Sequence, residues 1–268
     1  MRSSAGSALE SKQMTAYVDS HAHIFSEEFQ DDFDAVIQRA KDAHVEQIMI
    51  MCTKEHEAEQ AIAFARKDPE HYRVAYGIFM DDVDQADARY ARFEELIRDP
   101  MVAAVGEIGL DYYWVKDNKE AQKALFIRQI ESARQVHKPI LVHARDAMQD
   151  CFDILKEHRI PGVMHCYSGS AEMAVEFTKL GYYIALGGAL TFKNSRHAKE
   201  VCRAVDPAYL LSETDCPYMA PEPVRGTRNE PCNIPYIVYK MAELRDCSVN
   251  DMADQIMANY QRYLKETV

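Results

Sequence analysis

Eight short apolar runs, separated by longer amphipathic stretches, constrain this chain more than any other feature of its sequence. The runs are Tyr17–Ile24, Gln47–Thr53, Arg73–Phe79, Val102–Leu110, Pro139–His143, Gly162–Cys166, Tyr182–Leu186 and Leu210–Thr214. Most are continuously apolar, as parallel strands covered on both faces must be; a half-exposed strand would alternate apolar with polar residues. Helical periodicity fills the intervals. Phe29–Ala43 sets Phe29, Phe33, Val36, Ile37 and Ala40 on one face, and Lys119–Val136 does the same with Leu125, Ile127, Ile130 and Ala133. Further helices are expected at Ala171–Leu180 and Ser195–Val205, with two closing helices from about Ile234 and Val249. Lys138-Pro139 separates a helix from the strand after it. Strand and helix in eightfold alternation predict an α/β fold, a single (β/α)8 TIM barrel, and 268 residues is the right length for one. No repeat or domain boundary appears. Residues 15–268 are read as the barrel domain and residues 1–14 as a flexible N-terminal tail without the apolar core of a signal peptide.

Polar residues cluster where such a barrel puts its chemistry. His21 and His23 end the first strand, Glu107 lies near the end of the fourth, His143 ends the fifth, His165 the sixth, and Asp215 follows the eighth. The carboxyl ends of barrel strands open onto one rim, so these six residues converge although they are far apart in sequence. One residue separates His21 from His23, which in a strand turns both rings to the same face. A lone His-x-His pair is more often a surface or core feature than a metal site; four strand-end histidines with two carboxylates are far more specific, because burying that much polarity without a metal is costly. Six ligands exceed one tetrahedral zinc and suit two divalent ions, about 3.5–4 Å apart, that together activate a water and clamp a phosphoryl oxygen. Glu107 is the expected bridge and Asp215 the expected general base. Histidine-rich ligation allows Zn, Mn, Ni or Fe, whereas phosphodiester chemistry often uses Mg.

Other residues are expected on the same rim. Asp111, Tyr112, Tyr113 and Trp114 follow the fourth strand, and Arg145 and Asp146 follow the fifth. Arg225, Arg228, Asn229 and Glu230 lie in the long loop Met219–Pro235. Arg145, Arg225 and Arg228 suit phosphate through their planar forks, and Tyr112 suits base stacking. The plainer alternatives are that Tyr112–Trp114 pack the loop, that Asp111 and Asp146 are helix caps or partners of the ligands, and that Glu230 pairs Arg228. Ser168-Gly169-Ser170 is read as a helix start whose amides could also meet an anion. The other six histidines fall in or beside helical segments and are assigned no role.

The net charge of −12 excludes a general duplex-coating protein, whose affinity would come from Lys and Arg neutralising phosphates. Local positive charge, from bound metal and a few arginines, is still compatible with nuclease activity. Seven cysteines without a Cys-x-x-Cys pair read as small buried hydrophobes in a reducing compartment, and no run approaches a membrane span of roughly 20 apolar residues. A cytoplasmic protein is the expectation; its oligomeric state is not legible.

At this point six segments, in order, resemble the TatD-like metal-dependent deoxyribonucleases of the amidohydrolase group. They are Asp19-Ser20-His21-Ala22-His23, Val105-Gly106-Glu107-Ile108-Gly109-Leu110-Asp111-Tyr112, Leu141-Val142-His143-Ala144-Arg145-Asp146-Ala147, His165-Cys166-Tyr167-Ser168-Gly169-Ser170, Ser212-Glu213-Thr214-Asp215-Cys216-Pro217-Tyr218 and Arg228-Asn229-Glu230-Pro231. The resemblance covers the chain from about Tyr17 to the last helix. It implies the barrel, the same six ligands, and metal-dependent hydrolysis of DNA phosphodiesters, mainly from an end, with single-stranded DNA as the expected substrate. The family pattern after the third strand is Gly-x-His-Pro; here it is Gly77-Ile78-Phe79-Met80, so a polar contact to substrate is replaced by an aromatic ring. That departure favours a second reading, a hydrolase of the same group acting on a small amide, lactone or phosphoester. A third reading, a non-catalytic metal- or nucleic-acid-binding protein, is opposed by the presence of every expected ligand.

Overall fold

The computed structural model describes residues 15–114 and 116–266; the N-terminal tail expected at 1–14 lies outside the described residues. Eight parallel strands form one sheet in sequence order. They are β1 Tyr17–Ala22, β2 Val45–Cys52, β3 Tyr72–Tyr76, β4 Val102–Asp111, β5 Ile140–Arg145, β6 Gly162–Met164, β7 Tyr183–Leu186 and β8 Leu210–Ser212. Helices α1 Phe33–Asp42, α2 Glu55–Ala65, α3 Ala86–Leu96, α4 Lys119–Gln135, α5 Met148–His158, α6 Ala171–Lys179, α7 Arg196–Ala204, α8 Ile234–Arg245 and α9 Val249–Tyr263 follow the strands. The eightfold apolar pattern therefore does form a (β/α)8 barrel. Its seam closes where β1 meets the chain just past β8. Ser212 Oγ donates to the Val18 carbonyl at 2.7 Å, the Asp215 N–H to the His21 carbonyl at 2.9 Å, and the His23 N–H to the Cys216 carbonyl at 3.0 Å.

Each strand contributes fully buried apolar side chains, among them Val18, Ile50, Val74, Ile108, Val142, Val163, Ile184 and Leu211. Each such side chain contributes about 1.5–3 kcal/mol through removal from water. The helices cover the outer face, and α4 does more than cover it. Its buried Gln129 pairs with the backbone of Ile78, accepting from the N–H at 2.8 Å and donating to the carbonyl at 2.9 Å. Two turns earlier on the same face, Gln122 accepts from the Asp111 N–H at 2.9 Å and donates to the Asp111 carbonyl at 3.1 Å. Two buried amides thus clamp the ends of neighbouring strands where the site begins.

Several strands end earlier than their apolar runs suggest. β1 stops at Ala22, β3 at Tyr76, β6 at Met164 and β8 at Ser212, so His23, His165 and Asp215 lie just beyond regular pairing. The chain turns there: Cys166 and Asp215 take left-handed backbone, with φ of 43° and 55°, a conformation that costs about 1–3 kcal/mol outside glycine and is held by its surroundings. The helix expected from Phe29 begins at Phe33, preceded by a separate 3-10 turn at Glu27–Phe29. Among the described residues no helix is long and apolar enough to cross a membrane.

Candidate metal centre

The six strand-end residues do converge. Residues two apart in a strand share a face, and this sets Glu107 and Asp111 side by side on β4 and His21 beside His23 at the end of β1. Glu107, buried at the centre, divides its two oxygens between two groups. On one side, Glu107 Oε2 lies 3.5 Å from His21 Nε2 and 3.5 Å from His23 Nε2. Asp215 Oδ1 lies 3.6 and 3.5 Å from the same two nitrogens, which are 3.1 Å from each other. On the other side, Glu107 Oε1 lies 2.8 Å from His143 Nδ1 and 3.0 Å from His165 Nε2, and those nitrogens are 3.3 Å apart.

These spacings can be compared with what a metal needs. A tetrahedron whose centre is about 2.0–2.1 Å from each corner, the zinc–nitrogen distance, has edges of about 3.3–3.4 Å. The five measured edges of the first group run from 3.1 to 3.6 Å. The second group supplies one triangular face, slightly contracted, to which no fourth His, Cys, Asp or Glu is added among the described residues. Two three-residue groups joined through one carboxylate, with Asp215 beside the first, fit a pair of divalent ions. His21, His23 and Glu107, and likewise Glu107, His143 and His165, are groups that could hold an ion.

The electrostatics agree with such a donor set. Burial alone would raise the Glu107 carboxyl, but attraction to His165 and hydrogen bonds from His143, His165 and His21 hold it well below the usual carboxylate range. Burial opposes charge on His165 too, yet Glu107 and Glu213 raise it well above ordinary histidine. His143 and His23 are raised by their carboxylate partners against burial, whereas burial and the neighbouring His165 lower His21. The carboxylates that raise His165, His143 and His23 would also attract a divalent cation.

The supporting residues are mostly carboxylates that sequence reasoning left without a firm role. Asp111 Oδ2 lies 2.9 Å from His143 Nε2, while its Oδ1 accepts from the N–H groups of Tyr113 at 2.9 Å and Trp114 at 3.0 Å. With Nε2 bonded to Asp111, Nδ1 of His143 is left for a metal. Asp19 accepts from the Thr214 N–H at 2.9 Å, the Thr214 hydroxyl at 2.6 Å and the His21 N–H at 3.2 Å, riveting the seam beneath Asp215. Burial pushes its carboxyl up to about 7. Gly109 sits between Glu107 and Asp111, with φ of 142° and His143 packed against it; a Cβ there would meet the His143 carbonyl oxygen at 2.0 Å.

The residues expected to touch substrate divide. Arg145 is exposed, with its guanidinium 4.2 Å from the Tyr113 ring centre and 5.5 Å from that of Trp114. Tyr113 and Trp114 are exposed on the rim, as is Tyr218, whose ring faces that of His23. Tyr112 turns inward instead: it is buried and its hydroxyl donates to Asp150 of α5 at 2.7 Å, so it packs the loop. Arg228 is engaged on every side. It donates to the Glu28 carbonyl at 2.6 Å, to both Asp32 oxygens at 2.8 and 2.7 Å, and to Glu230 at 2.8 Å. Arg39 of α1 completes a cluster with the same two carboxylates. Arg228 and Tyr112 thus both have partners within the protein. Arg225 lies over the Phe192 ring at 4.1 Å, beside a groove of about 330 Å³ shared with Lys193, Asn194 and Ser195. That groove is separate from the histidine cluster. Phe79, at the departure from the family pattern, meets the edge of His143, ring centres 5.4 Å apart.

Comparison with known proteins agrees with this geometry. A family model described as TatD related DNase matches residues 18–265. The metal-dependent hydrolase YabD of Bacillus subtilis is 38% identical over 254 residues, covering 92% of this chain and 98% of that protein. The metal-dependent hydrolase YcfH of Escherichia coli is 37% identical over 185 residues, 68% of each chain. The crystal structure of YjjV, a TatD homologue of Escherichia coli, superposes with a TM-score of 0.85 at 28% identity, covering 92% of this chain and 97% of that one. The chain therefore belongs to the TatD-related DNase family, a family of metal-dependent hydrolases within the amidohydrolase superfamily.

Proposed function

We propose that this protein is a divalent-metal-dependent phosphodiesterase that removes nucleotides from an end of single-stranded DNA. The observation that carries the proposal is the division of Glu107, one oxygen to each of two histidine groups. His21, His23, Asp215 and Glu107 would hold one ion, and Glu107, His143 and His165 the other. When bound, the pair supplies Lewis acidity and a water of lowered pKa. Asp215 stands at the edge of the first group, where its second oxygen can take the proton from an attacking water. Arg145, exposed beside Tyr113 and Trp114, offers a cation–aromatic platform that can meet a phosphate and an adjoining base.

The expected preference for strand ends follows from shape and charge. A barrel mouth admits a strand terminus more readily than an intact duplex, and a net charge of −12 works against holding a long duplex by its phosphates. The test is length-resolved digestion of an end-labelled oligonucleotide, with and without chelator. Progressive shortening that the chelator abolishes supports the proposal. No cleavage with Mg, Mn or Zn, alongside turnover of a small ester or lactone, would transfer it to a small-molecule hydrolase. Two features favour that second reading: Phe79 makes the β3 corner beside His143 apolar, and Arg228 is held by Asp32 and Glu230.

A further inference from the structure

Beneath the centre lies a buried carboxylate to which the proposed chemistry assigns no part. Glu213 precedes Asp215 by two residues and has no solvent exposure; one oxygen accepts the Cys166 N–H at 2.5 Å. Above it His21 and His165 are stacked, ring centres 3.9 Å apart and planes within 12°. Both rings turn Nε2 toward Glu107, at 3.5 Å and 3.0 Å, so both Nδ1 atoms face away from it. His165 Nδ1 stands 3.5 Å from Glu213 Oε1, at the outer limit of hydrogen bonding. His21, His165 and Glu213 bring ligand-type atoms within 4.8 Å of one another. Three buried polar atoms have no formed hydrogen bond here: His21 Nδ1, His165 Nδ1 and Glu213 Oε2.

Leaving a buried donor or acceptor unmet costs about 1–3 kcal/mol each, so these three neighbouring atoms are expected to meet partners in the working protein. A histidine that binds metal through one nitrogen almost always donates its other N–H to a carboxylate or carbonyl. Building on the two-ion reading, we infer that Glu213 is a positioning residue shared by both metal positions. One carboxylate accepts the Nδ1–H of His21, a ligand of the first position, and the Nδ1–H of His165, a ligand of the second. It holds both imidazoles in the tautomer that presents Nε2 to metal and makes both more basic toward it. Asp111 serves His143 alone, so the two carboxylates differ in reach: Asp111 supports one position, Glu213 both.

The test is stepwise titration of the chelator-stripped protein with Zn against a competing chelator, for wild type, Glu213→Gln and Asp111→Asn. Glutamine keeps an oxygen for the Cys166 N–H while removing the charge. Glu213→Gln is expected to weaken both binding steps about 10–100-fold, and Asp111→Asn only one. Two wild-type-like steps in Glu213→Gln, or loss confined to one step, overturn the inference. So does a third ion in wild type that Glu213→Gln lacks, which would make Glu213 a ligand. Failure of wild type to bind any ion would defeat the two-ion reading and this inference with it. Should the variant not fold, long-range 15N–1H spectra of zinc-loaded wild type decide the matter. Protons on Nδ1 of both His21 and His165 support it; a proton on Nε2 of either contradicts it.

Discussion

Replacing Asp111 by asparagine should weaken metal binding at one position while leaving the fold intact, and the structure sets the size of the effect. Asp111 is almost fully buried and holds three groups: His143 Nε2 with one oxygen, and the Tyr113 and Trp114 N–H groups with the other. Asparagine can orient in two ways. Turning its NH2 toward the two backbone N–H groups leaves two donors unpaired, at about 1–3 kcal/mol each. The side chain therefore keeps its oxygen on those amides and directs its NH2 at His143 Nε2. That nitrogen must then accept, which moves the imidazole proton to Nδ1. Nδ1 is the atom 2.8 Å from Glu107 Oε1 and 3.3 Å from His165 Nε2, where a metal would bind, and a protonated nitrogen does not coordinate. Loss of such a supporting carboxylate typically weakens metal affinity about 10–100-fold, or about 1.4–2.8 kcal/mol. Isothermal titration of the stripped protein should show one weakened step and one unchanged step, with the melting temperature in chelator close to wild type. Two steps within threefold of wild type would refute the tautomer argument.

Three further outcomes follow. Gly109→Ala should destabilise the metal-free protein by about 2–5 kcal/mol in denaturant unfolding, from the positive φ and the overlap with the His143 carbonyl oxygen; an unchanged midpoint would contradict the packing described. Arg228→Ala should increase proteolytic nicking of the loop after β8 and lower turnover of phosphodiester and neutral ester alike, since its bonds run to Glu28, Asp32 and Glu230; loss restricted to DNA would restore it as a phosphate contact. Metal affinity should fall as pH falls. The free-protein pKa values of His165, His143 and His23 are raised, so their protons must leave before metal binds, and binding gains strength as pH rises through those values. Calorimetry in buffers of different ionisation enthalpy should show proton release at neutral pH, and none would count against these ligands.

What the sequence made legible was the part governed by periodicity and strand-end position. Continuous apolar runs gave all eight strands and the barrel, and strand-end polarity picked out the six converging side chains. The helices at Glu55–Ala65, Ala86–Leu96 and Met148–His158 are less legible, in part because α2 buries mostly alanines where a clear apolar stripe would carry larger residues. Some apolar runs outlast their strands, because apolar character persists after the backbone has left the sheet, at Ile24, Ile78 and Cys166. Glu213 carries a fainter signal: a carboxylate at a strand end, two residues before Asp215. At Arg228 and Tyr112 the signal runs the other way. Their chemistry suits a nucleic acid, and only three-dimensional packing reveals the carboxylates, Asp32, Glu230 and Asp150, that already engage them.

The central claim, that one carboxylate serves two metal positions, is tested most directly by elemental analysis of protein equilibrated with divalent metal and freed of excess. Wild type, His143→Ala and Glu107→Gln are compared. The account predicts two ions per chain in wild type, one in His143→Ala, and loss from both positions in Glu107→Gln. Two ions in Glu107→Gln, or a single ion in wild type under saturating metal, would contradict it.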